Sequence, residues 1–441
     1  LAKVEPQLLQ ALSELWIVRK SQNGLWSEPV FKRLEKVCAD LYENGRHSFG
    51  SSFALNHALR SLGAPGTLPE VLEAEIGDVS EAAERLDQAF KQTSTRRTYI
   101  CPLDLAEDVP SLTFGAVRLG RFSAADLETF FDARRLARCY PNQPLDSARL
   151  SQFHWLVIEE NVPVTRSAGL RAMPDFSTIM DRDFGEIDPH KGRFPQAVET
   201  VLFFLLLAPW EKWSTMNEVD WRGFRVPWIY CLDDDLFVSP SAPPSADTLS
   251  WEPHTYTDYW GESIEVERPI ELRLIDSARG EMLEFSDERW TDFKSALDSE
   301  LLQPPVMHFV VRAFLANGID EFMAHLTAIE AALGLQTDHN PKARKLHHPN
   351  IGATKRVGVR LASALDDASA ADLYADLFNL RSAFIHGRGG IEKISTQKRV
   401  SARRLAAMAA SALVTQASQS TQTRERVLGE LLDKGAQLVA K

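Results

Sequence analysis

The chain has 441 residues, 44% hydrophobic and 25% charged, an ordinary globular balance with length for two or three separate cores. Its longest apolar run, VLFFLLLA at 201 to 208, is far short of the roughly 20 residues that cross a bilayer. With no signal-peptide pattern in LAKVEPQLLQ, the expectation is a cytoplasmic protein without a membrane partner. The net charge of −12 is uneven: from residue 301 onward 18 Lys and Arg face 12 Asp and Glu, a balance of +6, while the first 300 residues carry 31 against 49, or −18. A polyanion would be repelled by the front of the chain and attracted to its back.

Residues 1 to 95 are expected to be mainly helical, because PQLLQALSELWIVRK, PVFKRLEKVCADLYENG and PEVLEAEIGDVSEAAERLDQAF repeat apolar positions three and four apart. The polar KQTSTRRT closes this region. Residues 96 to 284 are expected to mix helix and sheet: SLTFGAVRLGRF and HWLVIEENVPV have strand composition, and SAADLETFFDARRLARCY has a serine start and helical periodicity. In SIEVERPIELRLID, Ile264, Val266, Ile270, Leu272 and Leu274 alternate with charged residues, the pattern of half-buried strands. Eight of the ten tryptophans fall between 155 and 290, which points to a core. CLDDDLF at 231 to 237 is expected to be a solvated turn, since three successive aspartates cannot all face one ion. Cys38, Cys101, Cys139 and Cys231 form no CxxC pair and are expected to be reduced.

From 285 to 441 the pattern is helical, with segments expected at 306 to 335, 354 to 366, 368 to 386 and 398 to 435, the last broken near Gln419. Modest connections suggest an antiparallel bundle. The fold class expected is therefore α+β: a helical and mixed α/β N-terminal region, with a sensor or regulatory role expected of its sheet-bearing part, followed by a C-terminal all-α bundle.

Within that bundle, FNLRSAFIHGRGG at 378 to 390 sets one arginine in an apolar helix and one histidine before a glycine. On a wheel of about 100° per residue with Arg381 at zero, Leu373, Leu377, Leu380 and Phe384 lie near −40° to −100°. Tyr374, Phe378 and Ile385 lie near +20° to +60°, so Arg381 sits between two apolar flanks, one for the core and one for a second protomer. A guanidinium there needs a partner, and Glu330 borders the apolar stripe of IDEFMAHLTAIEAALGL, which invites an Arg381–Glu330 ion pair. His386, five residues on, is rotated by about 140° onto the side of Asn379 and Ser382 and advanced by roughly 7.5 Å. Gly387 can take the left-handed cap conformation that ends the helix.

Arg-x4-His in LFNLRSAFIHG, preceded by HLTAIEAALG and set in helical surroundings, resembles the HEPN superfamily, in particular its Apea-like bacterial branch. The resemblance covers about 300 to 441. It implies that Arg381 and His386 are a catalytic pair, with Ser382 at the variable polar position and Glu330 and Asn379 in support. It implies a metal-independent endoribonuclease without a cofactor, working as a homodimer in phage defence, abortive infection or toxin-like control, with a trigger received by the N-terminal region. The alternative within the same family is a non-catalytic module that binds RNA or a nucleotide or mediates assembly. Such chemistry suits the residues: histidine moves protons at the 2′-OH and the 5′-oxygen, and arginine offsets charge on the phosphorane, leaving 2′,3′-cyclic phosphate ends. Charge adds Lys355, Arg356, Arg388, Lys398 and Arg399 as expected RNA contacts. His347 and His348, being adjacent, are expected to point in different directions and not to bind a metal.

Overall fold

The computed structural model describes residues 4–19, 24–46, 49–173, 192–302, 305–342, 347–386 and 393–440, with the backbone alone at 70 and 71. The protein is α+β. Its chain divides into two compact units whose segments alternate: Leu1–Pro102, Arg121–Ile187 and Pro227–Pro269 in one, Leu103–Gly120, Asp188–Val226 and Ile270–Lys441 in the other. No helix among the described residues is long and apolar enough to cross a membrane.

Helices of ten or more residues are numbered along the chain: α1 Pro6–Trp16, α2 Pro29–Tyr42, α3 Phe49–Leu62, α4 Val79–Lys91, α5 Gln196–Leu206, α6 Asp287–Leu297, α7 Val306–Leu315, α8 Gly318–Leu333, α9 Ala353–Leu365, α10 Ser369–Ile385, α11 Thr396–Gln419 and α12 Arg424–Val439. The strands are β1 Ser94–Leu103, β2 Leu112–Phe114, β3 Val117–Arg121, β4 His154–Pro163, β5 Tyr230–Asp233, β6 Trp251–Thr257 and β7 Ser263–Pro269.

In the first unit α1 to α4 close over Leu8, Leu12, Phe31, Leu55, Leu59 and Leu86. Strands run β4-β1-β5, and β1 pairs antiparallel with β5, Ile100 opposite Tyr230. A second core of Ile100, Phe131, Trp155, Val157 and Tyr230 lies among these strands. The segment STRRT, expected as a polar closure, is the start of β1, because its apolar continuation YICPL carries it into the sheet. Asp235, expected in a solvated turn, is instead buried, accepting at 2.8 Å from Arg171 and at 3.0 Å from the Phe237 amide. The β6–β7 ribbon stands in solvent, and Tyr259 and Trp260 at its turn are 95% and 82% exposed, so Trp260 leaves the expected tryptophan core.

In the second unit β2 and β3 form a hairpin. Phe114 meets Phe204 and Trp290, and α5, buried from Val198 to Leu206, packs against α7. Five bundle contacts position the site: α7 on α8, α8 on α11, α9 on α10, α9 on α12 and α10 on α11. The segment expected as one helix at 306 to 335 breaks at Ala316–Asn317, with Gly318 at φ 60°, a turn that glycine makes without strain. The break expected near Gln419 separates α11 from α12.

Buried arginines bind the ends of these helices. Arg222 donates to the Phe314 and Ala316 carbonyls that terminate α7, at 2.8 and 3.0 Å. Arg360 donates to Leu333 and Leu428 carbonyls and to both oxygens of Asp338. Arg424 reaches the carbonyls of Leu301, Ala331, Ala332 and Gly334. The last carbonyls of a helix have no partner of their own, and a guanidinium supplies both donors and positive charge there. Together with Arg356 and Arg403, Arg360 and Arg424 withdraw four basic residues of the C-terminal third from solvent, so its +6 balance overstates the charge it offers a polyanion.

Candidate active site

Arg381 lies on the inward side of α10. Ala370, Tyr374 and Leu377 are the buried residues of this helix, and they flank Arg381 on the wheel. The two apolar flanks differ from those expected: Tyr374, assigned to a partner-facing side, is 1% exposed, while Leu373 and Phe384, assigned to the core, are 36% and 43% exposed. α9 and α11 pack on α10, but burial is confined to Ala370, Tyr374 and Leu377, and the last residues Phe384 and Ile385 are exposed.

The Arg381 Nη1 atom donates to Glu330 Oε2 of α8 at 2.6 Å. Both side chains keep a window to solvent, 20% for Arg381 and 30% for Glu330. The guanidinium also lies 5.8 Å from the Phe378 ring, and its Nε has no hydrogen-bond partner. Burial raises the Glu330 carboxyl above its ordinary value, and the Arg381 charge reverses this only in part. Beside the pair, the Tyr374 hydroxyl is buried without a partner; burial, and then the Glu330 charge, push its pKa up. A buried unpaired hydroxyl is uncommon and is a residue that helical periodicity alone did not single out.

His386 is the C-terminal cap residue of α10, exposed, with its amide donating to the Ser382 carbonyl at 3.0 Å. Ser382 is half-buried and Asn379 exposed. The expected glycine cap at Gly387 and the expected RNA contact Arg388 lie outside the described residues.

Two clefts flank this region. One, of about 510 Å³, is lined by Lys355, Gly358, Tyr374, Phe378, Asn379 and Val439. The other, of about 500 Å³, includes Glu330, Asp338, His339 and Arg424, and Thr354 and Phe378 line both. Arg381 and His386 line neither.

Of the expected RNA contacts, Lys355 is exposed and Lys398 half-buried. Arg399 has its Nη2 3.5 Å from Glu321 Oε2. Arg356 is corrected: it is 4% exposed and its guanidinium is taken by the carbonyls of His347, His348 and Ile351, so it cannot meet a phosphate. A basic residue in a sequence does not disclose whether its head group reaches water. His347 and His348 are corrected as well, since both rings turn to one carboxylate, Asp433.

A second charged cluster lies deeper in the bundle. Glu321, His325 and Arg403 are all buried; Arg403 Nε donates to Glu321, its Nη1 donates to the Asn217 carbonyl at 2.6 Å, and the His325 ring packs on Trp221. Burial pulls the Glu321 carboxyl upward, but His325 and the Arg403 guanidinium outweigh it and hold it at about 2, against an ordinary 4.5. Burial, with Arg403 and Arg222 adding, lowers His325 below 6.5, against the pull of Glu321. Each group thus contributes stability in its deprotonated form and loses it on acidification, His325 from 6.5 downward and Glu321 from 4.5 toward about 2. Urea unfolding is therefore expected to show a midpoint that declines as pH is lowered from about 7 to about 4. A flat midpoint over that range would show that the cluster is not linked to folding.

Comparison of the chain with protein-family models, with curated proteins and with solved structures finds no match.

Proposed function

We propose that the C-terminal bundle is a metal-independent endoribonuclease of HEPN type, acting in phage defence, abortive infection or toxin-like control. The observation that carries this reading is the pairing on one helix of a semi-buried guanidinium, held at 2.6 Å by Glu330 yet open to solvent, with an exposed histidine at the helix end. Arg381 offsets charge on the phosphorane, and His386 moves the protons. One histidine per chain serves one end of the reaction. A homodimer that brings two α10 helices together supplies both, and Phe384 and Ile385, 43% and 52% exposed beside His386, offer the apolar surface for it. The acidic N-terminal region regulates the bundle or receives a trigger.

The test is incubation of the purified chain with total RNA in chelator, alone and with cell extract from infected cells. Fragments with 2′,3′-cyclic phosphate ends are expected, and their absence under every condition overturns the assignment.

Glu330's hold on Arg381 favours a second reading, in which the pair is already satisfied and the bundle binds RNA or a nucleotide without cutting it. That reading predicts filter retention of RNA with no cyclic-phosphate product.

A further inference from the structure

We infer a metal-binding site at His347, His348 and Asp433, selective for a first-row divalent ion of the zinc class. The His347 and His348 Nε2 atoms lie 3.1 and 2.7 Å from the same Asp433 Oδ1, and the three donor atoms are all within 4.8 Å of one another. Two imidazoles and one carboxylate are ligands that suit zinc and its neighbours, whereas magnesium and calcium favour shells of oxygen.

Convergence here is built into the backbone. Neighbouring side chains in an extended segment point to opposite sides, and His348 escapes this with φ 49°, a left-handed conformation that few non-glycine residues adopt. The buried Arg356 secures that turn by donating to the carbonyls of both histidines and of Ile351. The two rings meet edge to face, with centroids 4.7 Å apart and planes at 69°, so their Nε2 edges close on a shared point. Asp433 comes from the middle of α12 and is half exposed, which leaves the point open to an incoming ion.

A tetrahedral ion about 2.1 Å from each ligand sets neighbouring donors about 3.4 Å apart. The observed 2.7 and 3.1 Å separations are shorter by about 0.7 and about 0.3 Å, an opening that side-chain rotation supplies. Each ring would bind as neutral imidazole through Nε2, with its N–H on Nδ1, and Asp433 as carboxylate; water completes the shell. Three protein ligands with one open position are the composition of a reactive or exchangeable site, unlike the closed four-ligand sets of purely structural zinc. Bound metal would also clasp the segment before α9 to α12, where the two helices pack closely enough that a Cβ at Gly435 would lie 2.1 Å from the Val359 carbonyl oxygen.

The experiment is calorimetric titration of zinc into the full chain after dialysis against chelator, alongside His347→Ala, His348→Ala and Asp433→Asn. Circular dichroism establishes that each variant is folded. One saturable equivalent is expected in the original chain, with affinity falling at least about tenfold in every variant. Substituting cobalt should give the visible ligand-field bands of a four-coordinate ion, and excess magnesium should not displace it. Zinc should raise the unfolding temperature of the original chain alone, in a concentration-dependent way. No saturable binding at micromolar zinc, or an equivalent that all three variants retain with unchanged affinity, overturns the site. None of these readouts involves RNA, so the result is independent of the proposed nuclease.

Discussion

Replacing Arg360 with methionine is expected to destabilise the bundle by about 3–5 kcal/mol, the cost of breaking a buried ion pair from one side. Arg360 is 1% exposed and bonds both oxygens of Asp338, which is 2% exposed. Burial would raise the Asp338 carboxyl, but the Arg360 bonds and charge more than reverse this and keep it below its ordinary value. Methionine fills much of the volume but leaves a carboxylate in the interior with Arg356 Nη1 as its nearest cation, 3.6 Å away. It also removes the donor that Arg360 gives to the Leu333 carbonyl at the end of α8 and to the Leu428 carbonyl of α12. Urea unfolding followed by helical circular dichroism reads the loss. The double variant Arg360→Met with Asp338→Asn should recover part of it, because the uncompensated charge is gone. A single variant within about 1 kcal/mol of the original would show that this pair contributes specificity rather than stability.

If the bundle cleaves RNA, His386→Ala is expected to slow cleavage by at least about 100-fold while leaving the unfolding curve unchanged. The second half of that expectation follows from exposure: His386 caps α10 through its backbone, which alanine retains. Arg381→Ala should lose activity to a similar degree, on the scale of about 100-fold to 1,000-fold for removal of a charge-stabilising donor. It also frees Glu330, whose carboxyl burial already raises, so Arg381→Ala should carry a stability loss that the double variant with Glu330→Gln reduces. The diagnostic contrast is between the two positions. Cleavage by His386→Ala at the original rate removes the histidine from the chemistry. Unfolding in Arg381→Ala, with the double variant restored and His386→Ala fully active, would identify the arginine pair as structural.

The Arg381–Glu330 pair was legible because it depends on two helical periodicities alone: each charge borders an apolar stripe, and antiparallel neighbours bring stripes together. The α+β class was legible for the same reason. Coverage was not. A wheel orders side chains by angle, but it does not say where a neighbouring helix stops, so Phe384 was placed in the core and Tyr374 on the open side. Burial of basic residues was equally hidden, since Arg356 and Lys355 are adjacent in sequence and one is sealed while the other lines a cleft. The convergence at Asp433 depended on a left-handed backbone at His348 and on an aspartate 85 residues away, neither of which has a local signature. The interleaving of the two units was illegible too, because the chain passes from one to the other within β1 and within β3, where strand composition does not change.

Arg424 has a consequence for the order in which the bundle assembles. Burial, and then the Arg360 charge, lower its pKa to about 10, so it remains cationic at neutral pH although none of the ion pairs among the described residues includes it. Its four acceptors lie between 90 and 123 residues earlier in the chain. Arg360 of α9 already reaches the Leu333 carbonyl, but the Ala331, Ala332 and Gly334 carbonyls at the end of α8 gain Arg424 only once α12 has docked, so this part of the closure is a late, long-range event instead of the local growth usual for helical proteins. A protease nick between α11 and α12, in Ser420–Thr423, would free α12 from the chain before it and loosen the end of α8 as well, although the cut falls far from α8 in sequence.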